Sequence, residues 1–185
     1  MRQRQDMRIG ITGPSAAGKD TLAEYLVSKG FEHFSLSDII REELRERGLE
    51  IDRDNLYNVG NELREKEGAG FLAARALAKM EKGGNYAITS IRNPREVETL
   101  AAGGDFILIS VNAPLEVRFK RVSERKRDKY ESSIEEFKRN EAREMESGIA
   151  LGQNVKGCME MADYEIVNNG AKDEFIANFE ALNLI

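Results

Sequence analysis

The sequence predicts an α/β fold: a three-layer sandwich with a five-stranded parallel sheet between two helical layers. Three observations predict it. Apolar strand-like runs alternate with amphipathic helical runs along the whole chain. Three of the strand-like runs are near-continuously apolar, as strands are when both faces of a sheet are covered. The length of 185 residues, 41% of them hydrophobic and 33% charged, suits one domain with a sizeable core.

Residues 7–12 read as the first strand, with Ile9 and Ile11 alternating with small or polar neighbours. Residues 19–29 follow as a helix with the stripe Leu22, Tyr25 and Leu26. A strand at 31–36 leads to a helix at 38–47, which Ser37 or Asp38 is expected to cap. Residues 52–82 read as helical with a break near Gly68 and Gly70. A strand at 86–91 precedes a helix at 94–102, with Pro94 at its start, where a missing N–H costs little. The strand at 105–112 leads past Pro114 to a helix from Leu115. Helices at 133–147 and 152–162 follow; Ser132 and Ser133 each have a glutamate three residues on, the capping-box spacing. A strand at 163–168 and a helix at 172–182 close the chain. Right-handed crossovers bring the loops after the strands to one edge of the sheet, where ligands bind.

Several function classes are excluded. A net charge of -5 argues against a nucleic-acid polymer as partner, so any anion site is local. The apolar runs are far short of a membrane span. The N-terminal MRQRQDM lacks the apolar stretch of a signal peptide, and Cys158 stands alone, without a disulfide framework. A cytoplasmic protein acting on small molecules, monomeric or homodimeric, is expected. Cys158 reads as a buried small residue and His33 as structural.

The chemistry starts after the first strand. Gly13-Pro14-Ser15-Ala16-Ala17-Gly18-Lys19-Asp20-Thr21 has the G-x-x-x-x-G-K layout of a phosphate-binding loop. A bare match arises by chance in roughly one chain in twenty of this size. Here, strand, loop and helix stand in the order the mechanism needs. Backbone N–H groups of Gly13, Ser15, Ala16, Ala17 and Gly18 would converge on a nucleotide's phosphates. The helix N-terminus and the Lys19 ammonium supply positive charge. This P-loop NTPase-like layout points to a bound polyphosphate, with a glycine-rich turn in an ordinary βα unit as the plainer alternative.

Three further groups lie at the same edge. Ser37, Asp38 and Arg41 follow the second strand, where helix capping plus a surface arginine is the plainer alternative. Arg92 leaves the third strand just before a helix, and its fork suits a bound phosphate. Arg118, Arg121 and Arg125 share one helix face after the fourth strand, an unfavourable row without a counter-anion. A solvated face neutralised in part by Glu116 and Glu124 is the alternative there. The polar segment from Lys126 to Ser133 suits a lid. Together these place donor phosphates at Gly13–Thr21, an acceptor phosphate at Arg41 and Arg92, and lid arginines within 118–127.

The chain resembles the nucleoside monophosphate kinase branch of P-loop proteins. Ser37-Asp38-Ile39-Ile40-Arg41 resembles the adenylate kinase motif that receives the acceptor nucleotide, and Arg92 resembles its second phosphate arginine. More closely, the segments Ser35–Leu44, Asn61–Arg64, Ser90–Glu98, Ala113–Arg121 and Ala162–Gly170 are similar to adenylate-kinase-like and dephospho-CoA-kinase-like small kinases. The resemblance covers nearly the whole chain and implies one kinase domain over residues 1–185. Its core would be 7–36, 84–118 and 162–185, its acceptor-side helical cap about 38–82 and its lid about 119–140. Asn169 and Gly170 would cradle the donor base, or form a plain turn. Arg64, in the cap, reads chiefly as part of a solvated face.

Two departures stand out. Asp20 replaces the usual Ser or Thr of the loop, and Thr89 and Ser90 stand where an acid often ends the third strand. Both usual magnesium anchors are thus altered. Asp20 or Thr21 is the expected metal ligand, although Thr21 lies about 100° further round the helix. The resemblance implies transfer of the ATP γ-phosphoryl group to a nucleoside or deoxynucleoside monophosphate. Lys19, Arg92, Arg118, Arg121 and Arg125 would position and neutralise the phosphates. If the acceptor is instead a ribose hydroxyl, Asp38 is the candidate base. A nucleotide-binding regulator with weak or no turnover is the other class.

Overall fold

The computed structural model describes residues 6–125, 133–146 and 151–185. Its strands are β1 (Arg8–Thr12), β2 (Glu32–Ser35), β3 (Tyr86–Thr89), β4 (Phe106–Asn112) and β5 (Tyr164–Val167). Its helices are α1 (Lys19–Ser28), α2 (Leu36–Glu46), α3 (Arg53–Glu67), α4 (Phe71–Lys79), α5 (Pro94–Ala102), α6 (Leu115–Arg125), α7 (Ile134–Met145), α8 (Val155–Glu160) and α9 (Lys172–Glu180). The sheet is all-parallel in the order β2-β3-β1-β4-β5, as the alternation predicts. Strand β1 is central, with Ile9 paired to Ala87 on one side and to Ile107 on the other. The helices that follow the neighbouring strands β1 and β3 pack on opposite faces of the sheet, and that switch point sets a crevice at the carboxyl ends of these strands.

Side-chain alternation builds two cores. Ile9, Ile11, Ala87, Ile109 and Val111 face α1 and α9 through Leu22, Leu26, Phe175 and Phe179. Ile88 and Leu108 face the other layer, where Leu36, Leu44, Leu63, Leu72, Leu100 and Cys158 are buried. Each fully buried Leu, Ile or Phe contributes about 1.5–3 kcal/mol, so both sheet faces are strongly held. Cys158 is a core residue, as read from the sequence, and burial pushes its thiol up. Among the described residues no helix is long and apolar enough to cross a membrane.

Local signals explain most boundaries. The break at Gly68 and Gly70 separates α3 from α4. Asp52 caps α3 by accepting from the Asn55 N–H at 2.7 Å. Asn93 and Glu96 form a capping box around α5, with Pro94 at its first position. Ser133 caps α7 through the Glu136 N–H; Ser132 lies outside the described residues. One expectation fails: neither Ser37 nor Asp38 caps α2, which starts earlier, at Leu36. The Ser37 hydroxyl is instead drawn inward, to Ser35 at 3.0 Å and Ser90 at 2.7 Å.

Candidate functional site

The loop between β1 and α1 is shaped by residues that tolerate what it demands. Gly13 has φ 132°, and a Cβ there would lie 2.0 Å from the Val111 carbonyl oxygen. Gly18 has φ 114°, and its Cβ would lie 2.2 Å from Asn168 Nδ2. Only glycine meets both conditions. Ala16 also adopts a left-handed conformation, with φ 58°. Lys19 opens α1, and its Nζ donates back to the carbonyls of Gly13 (2.8 Å) and Pro14 (2.7 Å). Burial, reinforced by the nearby Arg92 charge, lowers the Lys19 ammonium to about 8.

Behind the loop, two arginines of α6 are lodged against it. Arg121 donates to the carbonyls of Ala16 and Ala17 at 3.3 Å and to the backbone and side-chain oxygens of Asn168 at 3.1 Å. Asn168 in turn donates from Nδ2 to Ala17 O at 2.8 Å. The end of β5 is thereby strapped to the loop. Arg118 is buried; its Nε donates to Ala113 O at 2.8 Å and its Nη1 to Ser15 O at 3.4 Å. It forms a bidentate ion pair with Glu141 and stacks over Phe137. These two arginines therefore brace the loop in this structure rather than extend from a lid. The Arg125 side chain, Arg127 and most of the polar stretch 126–133 lie outside the described residues.

Arg92 leaves the end of β3 half-buried. Its guanidinium makes no hydrogen bond or ion pair with the described residues, yet its charge acts on Lys19 and on Glu144. Its backbone is pinned: Glu96 Oε2 accepts the Arg92 N–H at 2.8 Å and the Asn93 N–H at 3.1 Å. The other oxygen of Glu96 accepts from Arg64 Nη2 at 3.0 Å and Nε at 3.3 Å. Arg64 is 1% exposed, so it belongs to no solvated face.

On the β2 side, Arg41 pairs with Asp38 at 2.8 Å, one helical turn apart and largely in solvent. Ser35, Ser37 and Ser90 form a closed triangle of hydroxyls; Ser90 carries φ 62°. Thr89 is buried and bonds His33 Nε2 at 2.8 Å, the structural role read for that histidine. Asp20 is exposed and Thr21 half-buried on the first turn of α1. Among the described residues no cluster of three or more His, Cys, Asp or Glu side chains could hold a metal ion. Asn169 and Gly170 are exposed after β5, while the neighbouring Asn168 carries the contacts to the loop.

Another pair faces the same crevice without a distinctive signal in the sequence. Glu144 on α7 accepts from Arg53 Nη2 at 2.8 Å. Burial alone would raise its carboxyl, but the charges of Arg92, Arg53 and Lys19 outweigh that effect and hold it below its ordinary value. Only the i, i+3 spacing of Glu141 and Glu144 hinted at this, and it suits an ordinary solvated face equally well.

Residues 9–147 match the family model described as AAA domain. The chain is 39% identical over 182 residues to a UPF0200/UPF0201 protein of Archaeoglobus fulgidus, covering 95% of this chain and 54% of that one. It thus spans about half the length of that relative. It is 32% identical over 183 residues to a UPF0200 protein of Thermococcus kodakarensis, covering 95% of this chain and 96% of that one. In fold it is similar to TT1252 from Thermus thermophilus, with TM-score 0.61, 21% identity and coverage of 98% and 100% of the two chains. It is likewise similar to shikimate kinase from Bacteroides thetaiotaomicron, with TM-score 0.61, 14% identity and coverage of 97% and 99%. The chain shares the fold of these two proteins.

Proposed function

We propose that this chain, which belongs to the AAA domain family and to the UPF0200 proteins, is a kinase that transfers the ATP γ-phosphoryl group to a small acceptor, most directly a nucleoside or deoxynucleoside monophosphate. One observation carries the reading. Lys19 of the loop and Arg92 from the end of β3 lie within electrostatic reach of each other, and the Arg92 guanidinium has no partner among the described residues. The Glu144 carboxylate acts on both in the ligand-free protein, and a phosphoryl group in transfer is an anion of the kind such a pair of cations attracts.

In this reading the loop N–H groups and Lys19 hold the donor phosphates, and Arg41 with Arg92 holds the acceptor phosphate. Arg121 and Arg118 keep the loop in shape, and Arg125 is assigned to neutralising phosphate charge. Magnesium would be held through Asp20 or Thr21 and would neutralise phosphate charge. The catalysis asked of the protein is positioning and charge neutralisation, with no base.

A coupled kinase assay over nucleoside and deoxynucleoside monophosphates, with dephospho-CoA alongside, tests the proposal. Turnover with a monophosphate supports it. Turnover with dephospho-CoA alone would favour transfer to a hydroxyl, for which the exposed Asp38 carboxylate is available as base. Tight ATP binding without turnover on any acceptor would indicate a nucleotide-binding regulator.

A further inference from the structure

The Glu144 carboxylate is bonded by one cation and lies within the charge influence of two more, the three coming from separate elements. Arg53 is the first residue of α3 and bonds it directly at 2.8 Å. Arg92 comes from the end of β3, and Lys19 from the start of α1; both act on it electrostatically. The same helix face places Glu141 on Arg118, whose Nη1 also reaches the loop carbonyl of Ser15. Helix α7 thus presents two carboxylates, one turn apart, to cations around the loop. A carboxylate bonded to Arg53, on a helix whose Glu141 is tied through Arg118 to the loop, and with the charges of Arg92 and Lys19 near it, marks an anion-binding position.

We propose that the Glu144 carboxylate stands where a substrate phosphate binds, and that Arg53 is a phosphate ligand of that same position. The inference rests on the reading of this crevice as a phosphoryl-transfer site. It adds a third acceptor-side arginine to Arg41 and Arg92. It also gives Glu144 a defined role, which is to neutralise the site while no phosphate is bound and to leave when one arrives. A phosphate carries up to twice the charge of a carboxylate and more acceptor oxygens, so it can displace Glu144 from the same donors. The cost is that Glu144 competes with ligand, which sets a ceiling on affinity.

Calorimetric titration with inorganic tripolyphosphate, without nucleoside or metal, tests this on the whole chain. Glu144→Gln keeps the shape and removes the competing charge, so binding should tighten about 5-fold or more. Arg53→Gln should weaken binding by a similar factor, and should still do so in the Glu144→Gln background, because Arg53 then meets the ligand directly. A crystal structure of the unmodified protein with tripolyphosphate is independent of whether the variants fold. It should show Arg53 on a phosphate oxygen and Glu144 withdrawn. Binding that Lys19→Met abolishes but both other substitutions leave unchanged overturns the inference and leaves the kinase reading intact. Arg53 still bound to Glu144 in the complex overturns it as well. Absence of any tripolyphosphate binding overturns both.

Discussion

Arg64 and Glu96 form an ion pair at 3.0 Å with both side chains buried, and Glu96 uses its other oxygen to hold the Arg92 N–H at 2.8 Å. One carboxylate therefore joins α3 to the strand end that carries the proposed acceptor arginine. Arg64 Nη1 has no hydrogen-bond partner among the described residues, which makes the pair more dependent on Glu96. Removing one member of a buried pair costs about 3–5 kcal/mol, because the other charge is left unpaired. Glu96→Gln should therefore lower the melting temperature by roughly 6–20 °C, since about 2–4 °C follows from each kcal/mol at this chain length. Differential scanning calorimetry measures this. A fall of less than about 2 °C would mean that Glu96 contributes little to stability.

Lys19 supplies a pH dependence whose sign can be worked out. Its ammonium titrates at about 8 in the ligand-free protein, because burial and then the Arg92 charge disfavour the cation. A bound polyphosphate favours the cation and raises that value, so the complex holds more protons than its parts above the free-protein midpoint. Affinity is complete below about pH 8 and declines as pH rises through it, by at most about tenfold per pH unit. Calorimetry at about pH 8.5, in two buffers of different ionisation enthalpy, should detect uptake of up to about one proton. Arg92→Met removes a charge that disfavours the Lys19 cation, and should move the onset of the decline to higher pH. Affinity that is level from about pH 7 to 9.5 would exclude Lys19 as the group responsible.

The fold was legible because its signals are local and repeat. Ile9 and Ile11 announce a buried strand, Gly68 and Gly70 break a helix, and Pro94 starts one. The loop was legible because Gly13, Gly18 and Lys19 each meet a fixed steric or charge demand. The residues that brace the site were not, because a charged side chain on a helix has the same appearance in solvent and in a buried pair. Arg64, Glu141 and Glu144 differ from their charged neighbours only through partners distant in sequence, at separations of 32, 23 and 91 residues. Ser37 misled for a related reason. Serine favours caps, but two other hydroxyls, from β2 and the end of β3, complete a triangle only with this one.

Asp20 tests how magnesium is held when both usual anchors are altered. It is exposed on the first turn of α1, next to Lys19, while Thr21 is half-buried one residue on. A carboxylate is a stronger magnesium ligand than a hydroxyl, either directly or through a bound water. Asp20→Ala should raise the magnesium concentration for half-maximal turnover by about tenfold or more, with a smaller change for Thr21→Val. Magnesium titrations of the coupled assay separate the two. Equal magnesium curves for Asp20→Ala and the unmodified protein would remove Asp20 from the metal site.

Asp38 and Arg41 distinguish the two acceptor chemistries because they are partners in the free protein and would have different roles on a bound acceptor. They pair at 2.8 Å, with Asp38 58% exposed, a contact weak enough to exchange for a ligand. With a phosphate acceptor, Arg41 turns to the ligand and Asp38 has no proton to remove. Asp38→Asn should then change kcat by only about two- to threefold, whereas Arg41→Met should raise the acceptor KM by about tenfold or more. With a hydroxyl acceptor the order reverses: Asp38→Asn removes the base and kcat falls by about 10²-fold or more. Steady-state kinetics on both variants against the best acceptor read this directly. The split between kcat and KM carries the answer, since loss of the Asp38–Arg41 pair is common to both variants and cancels from the comparison.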